Sequence, residues 1–172
     1  MEHKSMSLLF TADENWAIGV DGHMLVRIKD DLKRFKEMTY GNIIVMGRRT
    51  LEALPNGEPL EGRINIVFTR GEREIKEGNY IVRSVEELDL LLDKINGDNK
   101  KTIFVIGGGQ LVKLLYDRCD KAYITKIFKS FERSDTSMIN LDEDSDWEVV
   151  QESEVKVENG LKFQYVDYKR KN

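Results

Sequence analysis

Two adjacent aspartates, Asp30 and Asp31, open a stretch in which Leu32, Phe35 and Met38 fall on one helical face. Asp31 stands beside Leu32 and four residues before Phe35, which puts a carboxylate at the border of an apolar stripe. Acidic residues in a first turn also suit the positive end of a helix, so spacing alone leaves that use open. A carboxylate facing a pocket with apolar walls has a second use: it can recognise a protonatable flat heterocycle through paired hydrogen bonds. Further along, the apolar run Ile43-Ile44-Val45-Met46 ends at Gly47 and gives way to Arg48, Arg49 and Thr50. The unpaired N–H groups and positive dipole end of a helix opening there favour a phosphate, and the arginines add charge. Thr102-Ile103-Phe104-Val105-Ile106 runs in the same way into Gly107-Gly108-Gly109-Gln110. Either junction alone is also ordinary turn chemistry. Both in one small chain point to a dinucleotide.

Charge narrows the partners. The chain of 172 residues carries 27 Lys and Arg against 31 Asp and Glu, a net charge of −4, so a phosphate-coated polymer meets net repulsion and nucleic acid is not expected. Arg48, Arg49, Arg63, Arg70 and Arg83 sit beside predicted strand ends. Guanidinium groups placed there suit small-molecule phosphates or carboxylates, with solvated surface charge as the alternative. One cysteine, Cys119, cannot form an internal disulfide, and with His3 and His23 scattered there is no metal-ligand spacing. Cys119 reads as a buried thiol and no metal is expected. No apolar run approaches the ~20 residues of a spanning helix and no signal-peptide pattern opens the sequence, so the expectation is a cytoplasmic protein without a membrane partner.

The elements that must position these groups are legible as alternating strands and helices. Leu8–Phe10, Ile43–Met46, Ile64–Phe68, Tyr80–Val82, Ile103–Ile106 and Tyr123–Ile127 read as core strands of an α/β sheet. Helical patterns run over Asp30–Met38, Val85–Ile95 and Gln110–Tyr116. Near the end, Val155 and Val157, then Asn159-Gly160, then Leu161, Phe163 and Tyr165 predict a hairpin, an antiparallel edge on a mainly parallel sheet. Asp13 to Lys29 holds Gly19 and Gly22 with little periodicity and is a candidate lid. With prolines only at Pro55 and Pro59 and no repeat or linker, one domain is expected.

Taken in order, Ile18-Gly19, Asp31 with Phe35, Val45-Met46-Gly47-Arg48-Arg49-Thr50, Gly62-Arg63, Ile106-Gly107-Gly108-Gly109, Thr125 and Asp135-Thr136 resemble the dihydrofolate reductase family. The match runs over residues 6–170, with residues 1–5 outside it as an expected tag remnant or disordered extension. The resemblance implies an eight-stranded, mostly parallel sheet with an antiparallel C-terminal edge strand and four flanking helices. It implies NADPH as cofactor and 7,8-dihydrofolate as substrate, reduced to 5,6,7,8-tetrahydrofolate, with antifolates as further ligands and a monomer as the default state.

Residue by residue, the resemblance makes Asp31 the ionisable group that holds the pterin and Thr125 the hydroxyl that fixes it. It gives Leu9, Phe10 and Ile106 to strand ends against the pterin, Leu32, Phe35 and Leu54 to the apolar walls, and Arg63 to the substrate's α-carboxylate. On the cofactor side it implies Thr11, Ile18, Gly19 and Met24 around the nicotinamide, Met24 lying at the far end of the lid. Gly47, Arg48, Arg49 and Thr50 match the first pyrophosphate junction, and Ile106, Gly107, Gly108, Gly109, Gln110, Leu111 and Val112 the second. Thr69, Arg70 and Arg83 match the 2′-phosphate site. In the implied mechanism Asp31 acts electrostatically and water brings the proton to pterin N5. The chain departs from the family pattern in Val26 for tryptophan, Thr11 for alanine, Leu51 for an aromatic residue and Ser134 for glycine. Two alternatives are a riboflavin-pathway pyrimidine reductase sharing the glycine junctions and a non-catalytic pterin or nucleotide binder; Asp31 with Phe35 and the Gly62-Arg63 pair favour the folate reading.

Overall fold

Side chains along the central strands alternate between two apolar layers, and this alternation organises the molecule. The computed structural model describes residues 4–20, 23–72 and 74–171; His3 and Gly22 of the sequence reading lie outside them. The chain runs β1 (Met6–Ala12), β2 (Ala17–Gly19), α1 (Lys29–Thr39), β3 (Ile43–Gly47), α2 (Arg48–Ala53), β4 (Ile64–Phe68), β5 (Tyr80–Val82) and α3 (Val85–Ile95). It continues through β6 (Ile103–Gly107), α4 (Gly109–Leu115), β7 (Cys119–Ile127), β8 (Thr136–Ser137), β9 (Trp147–Glu152), β10 (Lys156–Glu158) and β11 (Leu161–Arg170).

Leu8, Phe10, Ile43, Val45, Ile66 and Val105 face one layer, closed by Leu88 and Leu92 of α3 and by Leu111, Val112 and Leu115 of α4. Leu9, Ile44, Met46, Val67 and Phe104 face the other, where Phe35 and Met38 of α1 and Leu51 of α2 pack. Strands buried on both faces read as continuous apolar runs, which is why the sequence exposes them. Val112, 0% exposed within the first layer, is a core residue.

The sheet follows the order β10-β11-β7-β1-β6-β3-β4-β5, with β9 also on β11. Pairings from β7 through β5 are parallel, and β11 runs antiparallel to β7. β10 pairs with Leu161–Phe163 and β9 with Val166–Arg170, so both line one edge of β11 and the sheet is eight positions wide. The antiparallel end is thus two strands deep. The predicted hairpin is present, turning at Asn159 (φ 52°) and Gly160 (φ 78°).

The core strands stand where the sequence places them, β1 and β7 being longer. The candidate lid holds more order than its pattern suggests: β2 pairs with β8 in a separate ribbon. Cys119 is buried, and burial pushes its thiol up to about 12. Among the described residues no helix is long and apolar enough to cross a membrane.

Candidate active site

The start of α1 is held from outside the helix. Its N-cap, Ile28, makes no side-chain capping bond; instead the Glu158 carboxylate, from the C-terminal hairpin, accepts Lys29 N–H at 2.8 Å and Asp30 N–H at 3.2 Å. The two aspartates are therefore released from capping. Tyr165 on β11 donates its hydroxyl to Asp30. Asp31, 8% exposed, accepts the Thr125 hydroxyl at 2.6 Å on Oδ1 and the Thr11 hydroxyl on Oδ2. Burial raises its pKa above the usual carboxylate value, an effect opposed by the two hydroxyl donors and the Arg34 charge.

Asp31 borders a continuous cleft of about 1420 Å³, larger than the roughly 300–1,000 Å³ usual for one small ligand. Leu9, Phe10, Leu32, Phe35, Leu54 and Ile106 supply apolar wall beside the carboxylate. The cleft lies at the C-terminal ends of β1, β3 and β6, where open α/β sheets bind ligands.

Arg63 lies at the same cleft, and its Nε is buried with no hydrogen-bond partner among the described residues. Burial lowers its pKa, so an anion brought there would satisfy a guanidinium that the protein leaves incomplete. Its loop is tied by Asn65, fully buried, which accepts Leu60 N–H at 2.9 Å and donates to the Leu60 and Arg63 carbonyls. Gly62, at φ +78°, lets the Tyr40 ring close over this corner; a Cβ there would come within 2.1 Å of the ring.

Both glycine junctions belong to one place because β3 and β6 are neighbours with Met46 opposite Gly107. A Cβ on Gly47 would stand 3.9 Å from the Gly107 carbonyl oxygen and the Gly108 nitrogen. Gly107, at φ +144°, approaches Thr50 so closely that a Cβ would meet its Oγ1 at 2.9 Å. Gly47, Arg48, Arg49, Thr50, Gly107, Gly108, Gly109, Gln110 and Leu111 all line the cleft, and neither α2 nor α4 has a side-chain cap at its start. Arg48 is drawn along its own helix to Glu52 at 2.8 Å. Thr69, Arg70 and Arg83 line the far end, with Thr69 Oγ1 accepting Gly71 N–H at 3.3 Å.

Ile18, Gly19 and Met24 face the cleft from the loop side, Met24 39% exposed. The base of this loop is strapped to the segment before β8. The buried Asp13 carboxylate accepts Ala17 N–H at 3.0 Å and Phe131 N–H at 3.0 Å, and Asp135 N–H donates to the Gly19 carbonyl at 3.1 Å.

A model of the family described as "Dihydrofolate reductase" matches residues 5–170. The chain belongs to the dihydrofolate reductase family. It is 36% identical over 169 residues to the dihydrofolate reductase of Bacillus subtilis (strain 168), covering 97% of this chain and 95% of that one. It is 33% identical over 175 residues to the enzyme of Drosophila melanogaster, covering 92% and 94%. Among solved structures, dihydrofolate reductase from Enterococcus faecalis complexed with NADP(H) and RAB-propyl superposes with a TM-score of 0.81 at 33% identity, over 98% of this chain and 97% of that chain.

Within this family reading, the structure gathers nearly every expected site residue around one cleft. Two differ in placement. Val112, expected at the cofactor, does not reach the cleft: position 112 falls on the buried side of α4, against the sheet. Thr125, 1% exposed, acts from behind Asp31 instead of lining the opening. The sequence reading missed the Thr11 side chain, assigned there only to the cofactor face. It also missed Arg34, Lys36, Leu60, Gly71 and Ser84 at the cleft. Arg34 carried a findable signal, lying three positions after Asp31 on the same helix face.

Proposed function

We propose that this chain catalyses the NADPH-dependent reduction of 7,8-dihydrofolate to 5,6,7,8-tetrahydrofolate, and so supplies one-carbon metabolism. The observation that carries the reading is a buried carboxylate held by two hydroxyls at the edge of an apolar cleft that continues into both glycine junctions. The cofactor fits the residues present: Gly47 and Gly108 leave room along the junction, and Thr50 and Arg49 line it with Thr69, Arg70 and Arg83 beyond for a 2′-phosphate. Bound there, NADPH supplies a hydride to pterin C6.

The chain's own residues orient and polarise. Asp31 accepts the pterin's ring N–H and amino group, fixing the flat ring against Phe35 and Leu32. Its charge, little screened at this depth, raises the proton affinity of N5 without reaching it. Water admitted beside Met24 carries the proton to N5, while Ile18 and Leu54 limit bulk solvent. Arg63 receives the substrate's α-carboxylate. Thr11, Ile18 and Gly19 with Gly47, Arg48, Gly107, Gly109, Gln110 and Leu111 form the cofactor wall. Diaminoheterocyclic antifolates suit the same carboxylate.

The test is direct. Purified protein with NADPH and dihydrofolate loses the near-ultraviolet absorbance of the reduced nicotinamide; binding of both without that loss overturns the assignment. We further read residues 6–170 as one catalytic domain, monomeric and cytoplasmic, with 1–5 as an extension outside it. The family match over residues 5–170 supports the single domain. Lys4 nevertheless docks on Asn99 at 2.8 Å. Size-exclusion chromatography with light scattering tests the monomer.

A further inference from the structure

Three neighbouring strands present hydroxyls to α1 in a single row. Thr11 on β1 is the register partner of Thr125 on β7, and Thr125 is the register partner of Tyr165 on β11. Register partners on adjacent strands project side by side from the same face, with strands ≈ 4.8 Å apart. All three reach the first turn of α1: Thr11 and Thr125 donate to Asp31 and Tyr165 donates to Asp30.

The carboxylate is thereby fixed at both ends, Oδ2 by Thr11 and Oδ1 by Thr125. An ionised carboxylate offers about four lone-pair directions. Two are taken from the sheet side, which leaves one on each oxygen, both toward the cleft. Two adjacent parallel acceptors are what a ring N–H beside an exocyclic amino group requires. With Thr125 alone the carboxylate could swing about its Cβ–Cγ bond, since terminal torsions of this kind are broad.

We propose that Thr11 is a positioning residue for the reduction: with Thr125 it forms a two-hydroxyl seat that locks the plane of Asp31 and leaves one free acceptor on each oxygen for the heterocycle. The proposal rests on the reading of Asp31 as the group that grips the substrate. It assigns a use to the hydroxyl that stands here in place of the family's alanine.

The seat also favours the ionised form. Among the other groups around Asp31, Asp30 and Arg34 come from its own helix, Tyr165 and Asp167 from β11, and Tyr123 from β7; His23 and Arg27 line the loop side of the cleft. None of these changes in a Thr11 variant, so a shift in Asp31 titration reports the lost hydroxyl. Removing one donor to a charged acceptor should tighten proton binding at Asp31 about tenfold.

Thr11→Val removes the hydroxyl and keeps the shape, Thr11→Ala is a second deletion should valine disturb folding, and Thr11→Ser restores the hydroxyl. The carboxyl carbon resonance of Asp31 is followed against pH in protein labelled at aspartate, with kcat and KM for dihydrofolate measured alongside. The expected result is an Asp31 titration displaced to higher pH in Thr11→Val, roughly a tenfold fall in kcat/KM, and recovery of both in Thr11→Ser. Titration and kinetics unchanged in the deletions, or a serine variant behaving like valine, overturn the proposal. Asp31→Asn separates the two readings. A steep loss there with unaltered Thr11→Val overturns the seat alone, whereas undiminished turnover in Asp31→Asn overturns the role of Asp31 and the seat with it.

Discussion

Replacing Asp31 by asparagine sets two consequences of one buried charge against each other. Asparagine keeps one acceptor but turns an NH₂ toward the second donor of the heterocycle, and it removes the charge that strengthens both bonds. Hydrogen bonds to a charged group contribute about 1.5–3 kcal/mol each, so losing one and weakening the other removes about 3–4 kcal/mol of transition-state stabilisation. That corresponds to a fall of roughly two to three powers of ten in kcat/KM. The deficit should shrink at low pH, where dihydrofolate arrives already protonated at N5 and no longer depends on the carboxylate to favour the proton. Stability should move the other way. Burial raises the Asp31 pKa above 3.8, so the folded state holds this proton more tightly than the unfolded chain and stability declines as pH rises from the ordinary carboxylate range through the raised value. Asp31→Asn is free of that decline, and its melting temperature at neutral pH should equal or exceed the parent's. Steady-state rates and thermal unfolding, both across pH, are the assays. Undiminished turnover, or a deficit of the same size at every pH, refutes the electrostatic role. Loss of activity accompanied by loss of stability refutes the account of the buried charge.

The remaining residues divide by the part of the ligand they meet. Replacing Arg70 and Arg83 together by alanine should raise KM for NADPH by at least about tenfold while leaving KM for NADH nearly unmoved, since only the former carries the 2′-phosphate; equal losses for both cofactors deny these arginines that role. Arg63→Ala should raise KM for dihydrofolate by about one to two powers of ten, yet leave a dihydropterin without the glutamate tail unaffected. Glu158→Ala strips the outside cap from α1 and should lower unfolding free energy by about 1–2 kcal/mol in urea titrations, with glutamine recovering part of it.

What the sequence discloses is the part written in periodicity and in local turn chemistry. Ile43–Met46 and Ile103–Ile106 are continuous apolar runs because both faces of their strands are covered, and Val85–Ile95 repeats at helical spacing because one side of α3 packs on the sheet. β9 offers no such pattern: among its six residues only Trp147 is buried. β2 and β8 are too short for a period, their pairing being set by the meeting of two loops far apart in sequence. At the site, Asp31, Arg63 and the glycine junctions are recognisable by residue type. The Thr11 side chain is not, because a threonine in a strand is unremarkable until its register partner and the helix above it are known.

Control of the acid lies largely toward the end of the chain. Thr125 reaches Asp31 across 94 positions, Glu158 reaches Lys29 across 129, and Tyr165 reaches Asp30 across 135. α1 therefore acquires its final seat only when β7 and the β10–β11 hairpin are in place. Closing loops this long costs more entropy than closing local ones, and that cost falls due before the distant contacts form. A carboxylate that must be buried and still keep its charge has little local alternative. Residues next to it in sequence lie along the helix, whereas donors aimed at both of its oxygens can come only from a surface facing that helix. The parallel β1–β7 pair supplies such a surface, with two side chains a strand's width apart, and β11 extends it to Asp30. The acid stands on a helix because it must project into the cleft, and its partners stand on the sheet because only the sheet holds hydroxyls at a fixed spacing beneath it.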